Sequence, residues 1–180
     1  ETPFGVPPFD LIAVSDYKPA FETAMREHDN EIKAIVGNKD EPTFENTILA
    51  YDNSGAVMNK IAPVFFLLTS ADINPEMQKV EEELTPLLSA HTDGVMMNEK
   101  LFAGIRSGYE DRADLGLDRL EMRLTKKIYK NYERYWENLS ETVKEEQKKI
   151  NREHWWVTLR FGNNHLAENG RYELILDEQQ

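Results

Sequence analysis

Residues 41–55, EPTFENTILAYDNSG, carry the signals from which the rest of the chain can be read. Pro42 holds φ near the helical value, and Thr43 has a side-chain oxygen that can accept a backbone N–H at a helix start. Phe44, Ile48 and Tyr51 then recur at spacings of four and three, the period of one helical face. Asn53-Ser54-Gly55 punctuates that pattern and predicts a break or bend within a helical region running over 43–70, with Pro63 as a second place to kink.

The same logic extends in both directions. Upstream, a helix is expected from Ser15 or Asp16 to about Val36, with Tyr17, Phe21, Ala24, Met25, His28, Ile32 and Ile35 on its apolar face and Gly37 as its C-terminal cap. Residues 1–14 form an irregular, Pro-rich lead-in. Its Phe4, Val6, Phe9, Leu11 and Ile12 predict a segment packed on the body. Downstream, Asn74-Pro75-Glu76 combines a cap, a proline at the first helical position and an early acid, and predicts a helix to about His91. Its inward face is Met77, Val80, Leu84, Leu87 and Leu88.

Asn98 predicts a short helix to about Tyr109, and EDRADLGL (110–117) a loop. A helix over 118–137 places Leu117, Leu120, Leu124, Ile128 and Tyr132 on one stripe. From Ser140 a final helix reaches about Glu168 and would span ~40 Å. Gly170 stops it, and RYELIL (171–176) reads as a short strand. No repeat of solenoid length is present. The fold class read from the sequence is all-α: a bundle of about six helices with a short C-terminal extended segment, residues 15–180 forming one helical domain behind the lead-in.

Composition narrows function. In 180 residues, 33 Asp and Glu stand against 21 Lys and Arg, a net charge of −12. At this length ~70 % of the unfolded surface can be buried, so a core without staples is feasible. The acidic balance argues against nucleic acid and against an anionic membrane as partners. The longest apolar run, IAPVFFLLT (61–69), falls short of the ~20 residues of a membrane span. There is no cysteine, hence no disulfide and no thiolate metal site. The chain starts with Glu1 and shows no signal-peptide pattern, which suggests a processed or trimmed start and leaves compartment open between cytoplasm and periplasm, export included.

No reactive constellation stands out. His28, His91, His154 and His165 include no pair one helical turn apart and no following Glu, so the zincin pattern is missing and each reads as an ordinary boundary histidine. Glu81, Glu82 and Glu83 point three ways on a helix and read as a solvated face. Trp155 and Trp156 diverge by ~100°, so at most one can serve a flat site, and core or interface packing is the expectation for them and for Phe161. There is no GxSxG and no phosphate-binding Gly-rich loop. No catalytic, cofactor-binding or metal-ligating residue is assigned.

Four segments in order carry a resemblance: TPFGVPPFDLI (2–12), YKPAFETAMREHDNEIKAIVGNKDEPTFENTI (17–48), SGAVMNKIAPVFFLLTSADINPEMQKVEEELTPLLSAH (54–91) and RFGNNHLAE (160–168). Together they resemble the N-terminal region of the thimet oligopeptidase family of zinc metallopeptidases, most closely its bacterial dipeptidyl carboxypeptidase and oligopeptidase A branch. PTFENTI followed by FFLLTSADINPE is the most specific part. The resemblance implies a parent enzyme that holds zinc through a His-Glu-x-x-His helix and a third ligand, and that releases dipeptides from the C-termini of short oligopeptides. It implies two helical halves around a deep channel. This chain would be one wall, with its own catalytic domain and short peptides as partners, zinc only in that other domain, and no activity alone. Pro42, Thr43, Phe44, Glu45, Asn46 and Thr47 match the family as structure. The zinc ligands would lie beyond Gln180.

Two places depart from the family. Tyr135-Trp136-Glu137 stands where relatives carry a Gly-Gly-Ala-like turn, and His154, Trp155 and Trp156 replace small or aliphatic residues. Either the last two helices join differently, or one helix continues through the turn. The alternative to a peptidase wall is a stand-alone helical module that binds peptides or a protein partner, or a purely structural helical protein.

Overall fold

The computed structural model describes residues 5–71, 74–136 and 141–171. They are helical almost throughout, and no strand occurs among them. RYELIL from Tyr172 onward lies outside the described residues, as do Phe4, Glu137 and Ser140.

Helix α1 spans Val14–Gly37, and Asp16 accepts the N–H of Ala13 at its start (2.9 Å). Gly37 is the last helical residue rather than a left-handed cap; Asn38 ends the helix by donating its N–H to the Ile35 carbonyl. The 41–55 stretch behaves as its signals predict. Thr43 Oγ1 accepts the Asn46 N–H (3.1 Å) and Asn46 Oδ1 accepts the Thr43 N–H (2.7 Å), a reciprocal cap. A π-helical turn, Phe44–Leu49, leads into α2, Ala50–Asn53. Ser54 is extended (ψ 155°), Gly55 has φ +69°, and α3 starts again at Ala56 and runs to Ala71 with Pro63 inside it. Helix α4 is Pro75–Met96, five residues longer than expected, and α5 is Glu99–Glu110. Asn74 and Asn98 cap them through the N–H groups of Glu76 and Leu101. A single 3₁₀ turn, Asp111–Ala113, lies in the loop before α6, Arg119–Trp136. Helix α7, Glu141–Asn169, is the longest.

Two apolar clusters hold these helices together. In one, Ile32 of α1, Phe44 and Ile48, Val95 of α4, Leu101, Phe102 and Ile105 of α5, and Ile128 and Tyr132 of α6 are buried together. In the other, Tyr17 and Phe21 of α1, Phe65 of α3, and Met77, Leu84 and Leu88 of α4 are buried together. Helices α1 and α4 therefore run through both. The break at Ser54-Gly55 delivers the π turn to one cluster and α3 to the other. By length and composition alone Phe44–Ala71 is apolar enough to cross a membrane, more than the run counted in the sequence suggested. It is interrupted at the left-handed Gly55, and Phe44, Ile48 and Phe65 within it are buried.

Three expectations fail for physical reasons. Leu120 is 68 % exposed, because α6 is rotated to bury Thr125, whose hydroxyl is satisfied by the Glu121 carbonyl (2.8 Å). Among the described residues of the lead-in, Val6, Phe9 and Leu11 are exposed, while Ile12 and Val14 pack against a cluster. Leu87, expected on the inward face of α4, is 40 % exposed, because the buried face of that helix runs through Leu84, Thr85, Leu88 and Ser89.

Gly55 is the position where glycine is required. A Cβ there would meet the His28 ring at 3.3–3.4 Å as well as occupy positive φ. Gly55→Ala is expected to cost about 1–2 kcal/mol from the left-handed backbone alone. Urea unfolding checks this; a change below about 0.3 kcal/mol would contradict the strain.

Candidate functional site

The polar groups that the fold brings together come from residues far apart in the chain. Four of them form a line across α1, the Ser54 turn and α4. Ser54 Oγ lies 3.1 Å from His28 Nε2, His28 Nδ1 lies 3.0 Å from His91 Nε2, and His91 Nδ1 lies 3.3 Å from Asp29 Oδ1. The single Ser54 O–H is taken by the Tyr51 carbonyl (2.7 Å), so His28 donates from Nε2 to the Ser54 oxygen and accepts at Nδ1 from the Nε2–H of His91. Glu31 accepts the N–H of Gly55 (2.7 Å). The sequence offered no sign of the pair, since 63 residues separate its members.

This line resembles a nucleophile–base relay in composition only. Ser54 is buried and ends helix α2 through the Tyr51 carbonyl, so its oxygen is committed to backbone. The arrangement does fix α1, α4 and the break before α3 at the boundary between the two clusters. Burial lowers the pKa of both imidazoles; for His28 the neighbouring His91 adds to the effect, and for His91 the Asp29 carboxylate opposes it. Neutral rings are thus favoured in the fold, while the unfolded chain protonates near the usual ~6.5. Stability is present above that pH and falls as pH drops below it, because the unfolded state then binds more protons. Urea midpoints between about pH 8 and 5.5 should decline, and His91→Gln should flatten the decline. The comparison with the variant cancels the opposite contribution of Glu81, whose carboxyl burial pushes up. An unchanged slope in His91→Gln would contradict this account.

A second network closes α7 onto the body. Asp93, 4 % exposed on α4, accepts the Tyr135 hydroxyl and the Asn151 amide through one oxygen, both at 2.6 Å. Asn151 also donates to the Tyr135 oxygen (2.8 Å). Burial first, and Asp93 second, raise the Tyr135 pKa, so the phenol stays a donor. Trp136 donates its indole N–H to the Met96 carbonyl (2.8 Å), stacks on Phe102, and lies under Lys144, which also reaches Glu99 (2.7 Å). These contacts decide between the two joins left open by the sequence. In one continuous helix Tyr135 and Asn151 would be ~24 Å apart, whereas their side chains touch, so α7 folds back. The bulky residues at 135 and 136 are anchors of that return.

The remaining singled-out residues are separated. Glu83 pairs with Lys18 (2.7 Å), Glu82 is exposed, and Glu81 turns inward to the Thr69 hydroxyl (3.0 Å), three directions as the helix requires. His154 and His165 are exposed on α7. Among the described residues no group of three or more Asp, Glu or His side chains converges as a cation site. Trp155 lines a groove between α3, α4 and α7, and Trp156 does not. On the other side of α7, Ile150, Val157 and Phe161 are exposed, the last at 74 %.

No protein-family model matches the chain. The chain is 33 % identical over 176 residues to the dipeptidyl carboxypeptidase of Escherichia coli (strain K12), an alignment covering 98 % of this chain and 26 % of that protein. The dipeptidyl carboxypeptidase of Salmonella typhimurium (strain LT2) matches at the same identity and coverage. Oligopeptidase A of Escherichia coli is 28 % identical over 105 residues, 58 % of this chain and 15 % of that protein. The chain thus spans about a quarter of the length of the dipeptidyl carboxypeptidases it matches. The similarity runs through nearly all of this chain, which is a homologue of about a quarter of the dipeptidyl carboxypeptidases and, over a shorter stretch, of part of oligopeptidase A.

Proposed function

We propose that these residues are the N-terminal helical domain of a zinc-dependent oligopeptidase of the dipeptidyl carboxypeptidase type. The domain is one wall of a channel that admits short, unfolded peptides, from whose C-termini the parent enzyme releases dipeptides. Its partners are its own catalytic domain and the peptides in the channel, and zinc resides in the catalytic domain on a His-Glu-x-x-His helix. The wall acts by sterics, since a folded substrate cannot thread a narrow channel, and it is inert when separated from the catalytic residues. The observation that carries this reading is the alignment of 98 % of the chain with 26 % of a dipeptidyl carboxypeptidase.

The exposed Ile150, Val157 and Phe161 on α7 favour a docked state for this helix. That feature also supports the second reading, a stand-alone helical module that binds a peptide or protein. The mass of the natural product, detected with an antibody to this segment, separates the two. A product several times larger than 20.9 kDa that removes dipeptides from short peptides and is silenced by a chelator is expected. A natural product of 20.9 kDa without peptidase activity would overturn the peptidase reading and leave the binding module.

A further inference from the structure

We propose that the groove between α3, α4 and α7 binds a primary ammonium group carried beside an apolar side chain, with Glu81 taking the ammonium and Trp155 the apolar part. The groove encloses about 250 Å³ and is walled by Phe66, Trp155 and Leu159. Four hydroxyl side chains, Glu81 and Asn163 interrupt these walls, and Glu81 is the one ionisable group in the lining. Glu81 is 9 % exposed, and one of its oxygens accepts the Thr69 hydroxyl at 3.0 Å. Among the described residues no cation and no second donor reaches the carboxyl. Asn163 on α7 lines the opposite wall, and its amide makes no hydrogen bond among the described residues.

A carboxylate at the floor of an apolar groove is costly unless a cation meets it. A metal ion needs several hard ligands, and the groove supplies one carboxylate. An ammonium needs fewer fixed acceptors: the Glu81 carboxylate, the Asn163 carbonyl and one water satisfy its three N–H bonds. The adjoining Trp155 ring offers both an apolar face and a cation–π surface. The same chemistry is presented by the free amino terminus of a peptide, with its first side chain alongside, and by a lysine side chain. This inference stands whether or not the peptidase reading does, because it rests on the groove alone.

The natural protein carrying these residues, labelled with 5-fluorotryptophan, provides a local readout. The ¹⁹F signal of Trp155 is assigned by Trp155→Phe and followed during titration with phenylalanine amide, N-acetyl-phenylalanine amide and Nα-acetyl-lysine methylamide. Saturable binding of phenylalanine amide is expected, weakened at least about tenfold by acetylation of its amine and by Glu81→Gln, the factor for losing a charge-assisted hydrogen bond. Binding by the first ligand identifies a peptide amino terminus, and binding by the lysine derivative a lysine side chain; either supports the site. The ligand comparison needs no variant, and Trp155→Ala, on an exposed helix face, tests the apolar contact by calorimetry if Glu81→Gln folds poorly. Equal binding of the acetylated ligand, full binding to Glu81→Gln, or no saturable shift with any of the three would overturn the proposal and leave Glu81 as a neutral buried carboxyl held by Thr69.

Discussion

Phe102→Ala is expected to lower the unfolding free energy by about 3–5 kcal/mol, the range for emptying a buried aromatic site. The ring is almost fully buried on α5 and is the centre of an aromatic stack. Tyr132, Tyr129 and Trp136 of α6 lie with their ring centroids 5.9, 6.3 and 5.2 Å from it, all within 24° of parallel. Arg106 sits over the same ring at 4.5 Å. The three α6 aromatics recur at spacings of three and four, so one ring on α5 organises a whole face of its neighbour. Collapse into the vacated space is restricted. Tyr132 is held by its burial and Trp136 by its bond to Met96, and rigid rings close a cavity poorly. Phe102→Leu keeps most of the volume and should cost about 1–2 kcal/mol. Urea unfolding of both variants checks the pair. A loss below about 1 kcal/mol for Phe102→Ala would show that the α5–α6 stack repacks freely.

What the sequence made legible divides along a physical line. Local chemistry was readable. The caps at Thr43, Asn74 and Asn98 and the break at Ser54-Gly55 depend on residues within a few positions of one another, and the structure has each of them. The apolar stripe of α1 also held, since Tyr17, Phe21, Ala24 and Ile32 are its buried residues. Rotation of a helix about its axis was less readable. On α6 the stripe through Leu120 competed with one through Thr125, and only the neighbouring α5 decides which turns inward. The inward end of α4 was underestimated because the buried positions past His91 include Asp93, a carboxylate whose partners belong to helices two and three elements away. Glu81 shows the same limit: in a run of three acids, nothing local marks which one meets Thr69. The homology, by contrast, was carried by linear segments and needed no tertiary information.

Asp93→Ala should have the largest effect of any polar substitution, about 2–4 kcal/mol, because it removes a buried acceptor and orphans two half-buried donors at once. The Tyr135 hydroxyl and the Asn151 amide both point at one Asp93 oxygen, and their only mutual bond leaves the phenolic proton without an acceptor. Removing the donor instead is milder: Tyr135→Phe deletes one bond and keeps the ring, and should cost about 1 kcal/mol. The two sites are in contact, so the double variant should fall short of the sum by about 1–2 kcal/mol. The loss should also be uneven along the chain. Helix α7 contributes no apolar residue to either cluster, and Asp93 is one of its main buried polar attachments to α4. Hydrogen exchange in the Asp93→Ala variant should therefore accelerate in α7 before it does in α1 or α5, as a local opening. Uniform acceleration across all helices would mean that α7 and the body unfold as one unit and that the Asp93 network is not what holds the last helix down.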